Sequence, residues 1–267
     1  MLFDTHAHMD DRAFDEDRQT LLASLPGQGI GLLMNPGCSL ESSRRADALS
    51  RAYDYIYAAV GSHPDAADEV DPAVLAEYQQ LCRENPKIRA IGEIGLDYHY
   101  EDIPRDRQQA AFRAQMGLAR ELGLPVMFHT GLSVFKGSRL KYGDPVFYDD
   151  IAVDFPELKI VMCHGGRDCW YKEAFTVARL HENVYIDVAG LPPKKLLTYF
   201  PDLPRQAHKF VFGTDWPSVD IGKNADAVAQ LPLPEADIRA ILGETAGRLL
   251  GLAQEGRGAA AAGEQLL

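Results

Sequence analysis

The chain has 267 residues, enough for two small domains or one α/β barrel, and its 46% hydrophobic and 25% charged residues exclude disorder over most of its length. With 39 acidic against 27 basic residues the formal net charge is -12, which disfavours a broad basic surface for tracking a phosphate backbone, although metal ions in a pocket would still draw an anionic substrate locally. Cys38, Cys82, Cys163 and Cys169 lack paired CxxC spacing, so buried, reduced thiols are expected rather than a disulfide framework or a thiolate metal site.

In chain order, eight short apolar runs bounded by polar or glycine punctuation predict strands: Leu2 to Asp4, Gly31 to Met34, Ile56 to Val60, Arg89 to Ile94, Pro125 to Phe128, Lys159 to Met162, Val184 to Val188 and Phe210 to Phe212. They are nearly continuous in apolar character, as parallel strands covered by helices should be. Between them, Arg105 to Gly123 is the clearest helix, with Phe112, Met116 and Ala119 at i, i+4, i+7 spacing and Gly123 as a C-terminal stop. Leu75 to Leu81, Phe147 to Val153, Lys172 to Leu180 and Glu235 to Leu242 fill other gaps as helices. Alternating strand and helix predicts one (β/α)8 TIM barrel over residues 1–253, followed by a low-complexity tail over 254–267. The start, Met1-Leu2-Phe3-Asp4, has no basic segment leading into an apolar run, and no apolar stretch is of membrane length, so a cytoplasmic protein with no membrane partner is expected.

Metal-ligand residue types stand at the carboxyl ends of five predicted strands, the face where barrels build active sites: Asp4-Thr5-His6-Ala7-His8, Gly92-Glu93, Phe128-His129, Cys163-His164 and Gly213-Thr214-Asp215. In an extended segment His6 and His8 share a face and can present both imidazoles to one ion. A lone HxH is more often two satisfied or exposed histidines, but His129, His164 and Asp215 at other strand ends reverse that preference. Glu93 lies in an apolar run where an unpaired carboxylate is costly; a metal removes that cost, as would a salt bridge to an arginine, and between two ions it would act as a bridge. Asp215 reads as a ligand that also takes a proton from a metal-activated water, and His164 as a second ligand or a base. His63, in Gly61-Ser62-His63-Pro64, is either a structural histidine in a proline turn or a group that orients an anionic substrate. Arg139, Lys141 and Trp216, with His99 and Tyr142, are candidates for the pocket rim, although surface charge or packing explains each about as well; Asp97 and Asp187 read as structural, and His181 and His208 carry no expected chemistry.

From Met1 to about His129 these motifs resemble the TatD family of metal-dependent deoxyribonucleases, through Asp4-Thr5-His6-Ala7-His8, Gly61-Ser62-His63-Pro64, Gly92-Glu93-Ile94-Gly95-Leu96-Asp97-Tyr98 and Leu124-Pro125-Val126-Met127-Phe128-His129. The resemblance implies that His6, His8, Glu93, His129, His164 and Asp215 bind two divalent ions. Beyond His129 that pattern stops: the family usually has an arginine close behind this histidine and a Cys-Phe-Ser-Gly-like segment after the next, where Thr130-Gly131 and Gly165-Gly166 stand here. The second half is similar to the amidohydrolase-2 branch of the amidohydrolase superfamily in Cys163-His164-Gly165-Gly166, Asn183-Val184-Tyr185-Ile186-Asp187 and Phe212-Gly213-Thr214-Asp215-Trp216-Pro217. That branch implies a single zinc, a catalytic His164, and hydrolases as well as decarboxylases.

The expected function is a metal-dependent hydrolase that uses a metal-activated water on a carbonyl or phosphoryl centre of a small-molecule or anionic substrate. The expected cofactor is one or two divalent ions, zinc first, with manganese or magnesium as the others. The alternatives are a deoxyribonuclease acting on DNA ends, a metal-dependent decarboxylase and a noncatalytic metal-binding barrel.

Overall fold

The computed structural model describes residues 1–100, 102–131, 143–167 and 169–252. Eight strands form one parallel sheet in chain order: β1 (Leu2–Asp4), β2 (Ile30–Pro36), β3 (Ile56–Val60), β4 (Ile88–Gly95), β5 (Val126–Gly131), β6 (Ile160–Arg167), β7 (Val184–Asp187) and β8 (Phe210–Val211). All eight expected strands are present, with the second, fourth, fifth and sixth running further toward their carboxyl ends than the apolar runs suggested. The sheet closes on itself where Thr5 N donates to Phe212 O (2.9 Å) and Asp215 N to His6 O (2.7 Å), and where Ala7 bridges Trp216. The chain is a (β/α)8 barrel.

Side-chain parity decides what enters the barrel. Phe3, Met34, Ala59, Ala90, Met127, Val161, Cys163 and Val211 form one buried cluster, closed by Ala246, Leu249 and Leu250. Their strand neighbours Leu33, Ala58, Ile91, Phe128, Met162 and Phe210 belong to the larger cluster beneath the helices. Residues two apart on a strand share a face, so the inward placement of Met127 carries His129 inward as well.

Helices cover the outside: α1 (Arg18–Ser24), α2 (Leu40–Ala52), α3 (Pro72–Glu84), α4 (Arg105–Leu122), α5 (Asp149–Asp154), α6 (Tyr171–Leu180), α7 (Leu196–Tyr199) and α8 (Ile221–Ala229), with α9 (Glu235–Arg239) and α10 (Thr245–Leu249) after the last strand. The expected helix at Arg105 ends as predicted, on Gly123 in the left-handed region (φ 64). Two buried glutamines of α4 pin loops above the barrel. Gln115 accepts from Ser62 N (2.7 Å) and donates to Ser62 O (3.1 Å), while Gln108 accepts from Asp97 N and donates to Asp97 O, both at 3.1 Å. The helix expected over Phe147 to Val153 divides into a 3-10 turn (Pro145–Tyr148) and α5, and the one over Glu235 to Leu242 passes from α9 into a π-helical turn (Ala240–Glu244).

Two ladder irregularities shape the upper face. Between the pairs Ile91↔Val126 and Ile94↔Phe128, β4 uses three residues where β5 uses two, a bulge that contains Glu93. Between His129↔Cys163 and Gly131↔Arg167, β5 uses two residues where β6 uses four. That excess is taken up by His164, Gly165 and Gly166, all at positive φ (64, 51 and 76). No helix among the described residues is long and apolar enough to cross a membrane. The tail expected over 254–267 lies outside the described residues.

Candidate metal centre

Above the barrel interior, the donors converge. His6 and His8 follow β1, Glu93 sits in the β4 bulge, His129 ends β5, His164 stands in the β6 irregularity and Asp215 follows β8. His6 Nε2 lies 3.2 Å from His8 Nε2, 3.4 Å from Glu93 Oε2 and 3.9 Å from Asp215 Oδ1. His8 Nε2 is 3.4 Å from the same Asp215 oxygen. The other oxygen of Glu93, Oε1, lies 3.1 Å from both His129 Nδ1 and His164 Nε2. One carboxylate thus faces His6 with one oxygen and two further imidazoles with the other. The donor atoms of His6, His8 and Glu93 lie within 4.8 Å of one another, as do those of His63, Glu93 and His129.

The tautomers fit a cation. His6 Nδ1–H donates to Asp187 Oδ2 at 2.8 Å, because a carboxylate only accepts, and this leaves a lone pair on Nε2. That lone pair meets an imidazole nitrogen and two carboxylate oxygens, all acceptors or potential acceptors, an arrangement that only a proton or a metal ion reconciles. His164 Nδ1–H likewise donates to Ala189 O (3.2 Å), turning its Nε2 lone pair toward Glu93. His129 Nε2 is buried without a hydrogen bond, facing Asp97 Oδ2 at 3.4 Å. Buried imidazoles and carboxylates are the donor set of zinc and related divalent ions.

Without a metal, protons fill the same role. Burial pulls His6 down, but Glu93 and Asp187 outweigh it and hold its pKa well above the ordinary value. Burial likewise opposes His129, yet Asp97 and Glu93 raise it to about 9. His8 is raised against the same penalty, in part by its hydrogen bond to Asp215. Glu93 and Asp215 move the other way: burial alone would raise them, and the surrounding histidines hold both well below the usual carboxylate range. His164 is lowered, by burial first and then by the Arg167 guanidinium. Asp4, pushed up to about 7 by burial, bonds Thr214 Oγ1 (2.6 Å), Thr214 N and His6 N, and so ties the first strand's histidines to the last strand's aspartate.

The remaining expectations divide. His63 is buried, donates from Nδ1 to Asp65 (2.7 Å) and stacks edge-on against His129 at 4.5 Å between ring centres, so it joins the donor cluster and not merely its rim. Trp216 packs edge-on against Phe14 and its carbonyl accepts from His8 N (2.8 Å). Arg139, Lys141 and Tyr142 lie outside the described residues. Asp187 and Asp97, read from sequence as structural, instead face nitrogens of His6 and His129. Each ends or follows a strand, a position that carried the signal. The thiols depart from the expected burial, since Cys169 is exposed and Cys38 is part-buried with its sulfur 3.7 Å from His8 Nδ1. Arg167, which carried no sequence signal, lies beside Asp215 with Nη1 3.4 Å from Oδ2. Next to His8 opens a cavity of about 420 Å³, lined by Asp10, Arg12, Cys38, Ser42 and Arg45 among others.

Residues 3–134 match the family described as TatD related DNase. The first half is TatD-like. Over 129 residues it is 37% identical to the uncharacterized metal-dependent hydrolase YabD of Bacillus subtilis, covering 48% of this chain and 50% of that protein. Over 128 residues it is 32% identical to the 3'-5' ssDNA/RNA exonuclease TatD of Klebsiella pneumoniae, covering 48% of each. The chain therefore spans about half the length of the curated relatives it matches. The solved TatD homologue YjjV of Escherichia coli superposes with a TM-score of 0.76 at 24% identity, over 94% of this chain and 98% of that one. The 5-carboxyvanillate decarboxylase LigW of Sphingomonas paucimobilis superposes with a TM-score of 0.61 at 16% identity, over 86% and 82%. At those identities the shared property is the fold, which the TatD-like half and the remainder of the chain build together.

Proposed function

We propose that the chain is a metal-dependent hydrolase of the TatD and amidohydrolase type, one barrel unit over residues 1–253, acting on a carbonyl or phosphoryl centre. The single observation that carries this reading is Glu93, with one oxygen facing buried His6 and the other facing buried His129 and His164 across the barrel mouth. On this reading His6, His8, Glu93, His129, His164 and Asp215 would hold two divalent ions. Zinc is the first choice for so imidazole-rich a set, with manganese and magnesium as the others. When bound, such ions polarise a substrate oxygen and lower the pKa of water.

The chain's own residues do the rest. Asp215 Oδ1 faces the centre beside His8, where it can accept a proton. His164, its Nδ1 proton held by Ala189, offers only a lone pair at Nε2, as a ligand or a proton acceptor. Asp187 fixes the His6 tautomer, and His63 and Trp216 are the residues proposed to contact substrate. The proposal includes a cytoplasmic location, where thiols stay reduced.

A second reading, cleavage of single-stranded nucleic acid from an end, is supported by the TatD-like half and the relative whose name is a 3'-5' ssDNA/RNA exonuclease. Elemental analysis, followed by incubation of metal-loaded protein with end-labelled oligonucleotides and with small esters, lactones and amides, separates the readings. Near two ions per chain and hydrolysis that stops on chelation are expected. Full turnover in metal-free protein would refute the proposal, shortening of the oligonucleotide would select the nuclease, and carbon dioxide release without water incorporation would select a decarboxylase.

A further inference from the structure

We propose that Gln108 of α4 is a positioning residue for the metal centre, acting through Asp97 on the ring of His129. The consequence for an ion rests on the metal-dependent reading; the hold on the His129 ring does not. Asp97 lies two residues beyond the end of β4, past the sheet ladder, yet it is wholly buried. Its backbone there is held by one side chain, since Gln108 accepts from Asp97 N and donates to Asp97 O, both at 3.1 Å. A side-chain amide carries an acceptor and donors on adjoining atoms, so Gln108 serves Asp97 as a neighbouring strand serves the residues within a ladder. The carboxylate is fixed as well. Its Oδ1 accepts from His99 N at 2.9 Å, and Oδ2 faces His129 Nε2 at 3.4 Å.

The same device recurs one strand earlier. Ser62 lies two residues beyond the end of β3, and Gln115, also buried, accepts from its N–H at 2.7 Å and donates to its carbonyl at 3.1 Å. The next residue is His63, whose ring packs edge-on against His129 at 4.5 Å between centres. Gln108 and Gln115 are seven residues apart, so they share one face of α4 and stand roughly 10 Å apart along its axis. That face sets the two loops that flank His129, from neighbouring strand ends.

His129 is the donor for which this hold matters most. Its Nδ1 lies 3.1 Å from Glu93 Oε1, on the side of the other donors, while its buried Nε2 looks to Asp97. A carboxylate behind an imidazole fixes the ring and makes the opposite nitrogen a stronger ligand. At 3.4 Å the contact lies just beyond the range of about 2.7–3.2 Å for an N–H···O bond, so a few tenths of an ångström in the place of Asp97 decide whether that bond forms. Asp187, by contrast, is the last residue of β7 and already stands 2.8 Å from His6. Its strand supplies for His6 what Gln108 supplies for His129.

The test compares the full chain with Gln108→Met, which keeps the bulk and removes the amide, and with Asn85→Leu. Asn85 is buried just before β4, at the amino end of the barrel, and bonds Asp47 and Ser50, so its loss destabilises the fold away from the mouth. In metal-free protein labelled with nitrogen-15 at histidine, the His129 ring resonances should shift in Gln108→Met, while those of His6 stay in place and Asn85→Leu moves neither. Zinc affinity, measured by competition with a chromophoric chelator, should fall about 10-fold in Gln108→Met, the lower end of the loss seen when a ligand's partner is disturbed, and hold in Asn85→Leu. Gln108→Glu keeps the acceptor and loses the donor; it should shift the same resonances, and it decides the matter if Gln108→Met does not fold. His129 resonances that stay in place in the Gln108 variants, or a zinc affinity that falls equally in Asn85→Leu, would overturn the proposal. Wild type that takes up no zinc defeats the metal-dependent reading separately, because the ring resonances still report the hold on His129.

Discussion

Asp187 Oδ2 and His6 Nδ1 lie 2.8 Å apart with both side chains wholly buried, so the tautomer of His6 is set from the seventh strand while its Nε2 points across the first. Asp187 is held in turn by Ala189 N at 2.5 Å. A partner of this kind orients the ligand and raises its basicity, and losing it usually costs about 10- to 100-fold in metal affinity. Asp187→Asn should therefore fold and release metal more readily; competition with a chromophoric chelator measures this, and unchanged affinity would remove Asp187 from the centre.

Metal binding should release protons and strengthen as pH rises. His6, His8 and His129 all favour protonation in the metal-free protein, His129 up to about 9, and each proton must leave before its nitrogen can ligate. Calorimetry in buffers of different ionisation enthalpy counts the protons released, and an affinity that stays flat between about pH 6.5 and 9 would contradict the donor assignment.

The same shift carries a sign for stability. His129, raised from 6.5 to about 9, stabilises the metal-free fold fully below 6.5 and loses that contribution as pH rises through about 9. Asp4, raised from 3.8 to about 7, loses its contribution lower in the same ascent. Glu93 and Asp215, both lowered, contribute above their ordinary values of 4.5 and 3.8 and lose it in acid. Metal-free protein should thus melt at progressively lower temperature from pH 6.5 to 9, while metal-loaded protein should not; thermal melts across that range check both.

Replacing Asp215 by Asn removes a proton acceptor while keeping its shape. Turnover should fall about 100- to 10,000-fold, the usual worth of general acid–base catalysis, with the melting temperature nearly unchanged. A rate within a few fold of wild type would move the proton-accepting role elsewhere, His164 first.

Phe128 is fully buried one residue before His129, with Phe112 and Tyr148 each 5.0 Å away between ring centres. Phe128→Ala should cost about 3–5 kcal/mol, measured by denaturant unfolding. Tyr148, whose hydroxyl donates to His129 O at 2.7 Å, would lose one of its packing faces, so metal affinity should weaken as well.

The strands were legible because a barrel strand buries both faces, and so reads as an uninterrupted apolar run. The donors were legible because Glu93 lies within such a run and the others follow one by no more than four residues. What the sequence concealed has particular causes. The inward face of α2 is made of Ser42, Ser43, Ala46 and Ser50, small and mostly polar, so no hydrophobic period marks it. Asp187 and Asp97 differ from ordinary structural carboxylates only in what faces them, and residues up to 181 positions away in the chain supply that. The placement of Arg167 depends on two extra residues in β6, on Gly131 of β5 and on Gly190 beyond β7, a relation of register that no local pattern expresses.

The TatD-like match ends at residue 134, yet the donors proposed here lie on both sides of it: His6, His8, Glu93 and His129 before, His164 and Asp215 after. Glu93 faces His6 and His129 on its own side and His164 on the other. An ion held there would act as a rivet between the stretch that matches the family and the stretch that follows it. Neither stretch alone carries the full ligand set, so substitutions that retune one must preserve the alignment of the other. The freedom to diverge is left to the loops above the rivet.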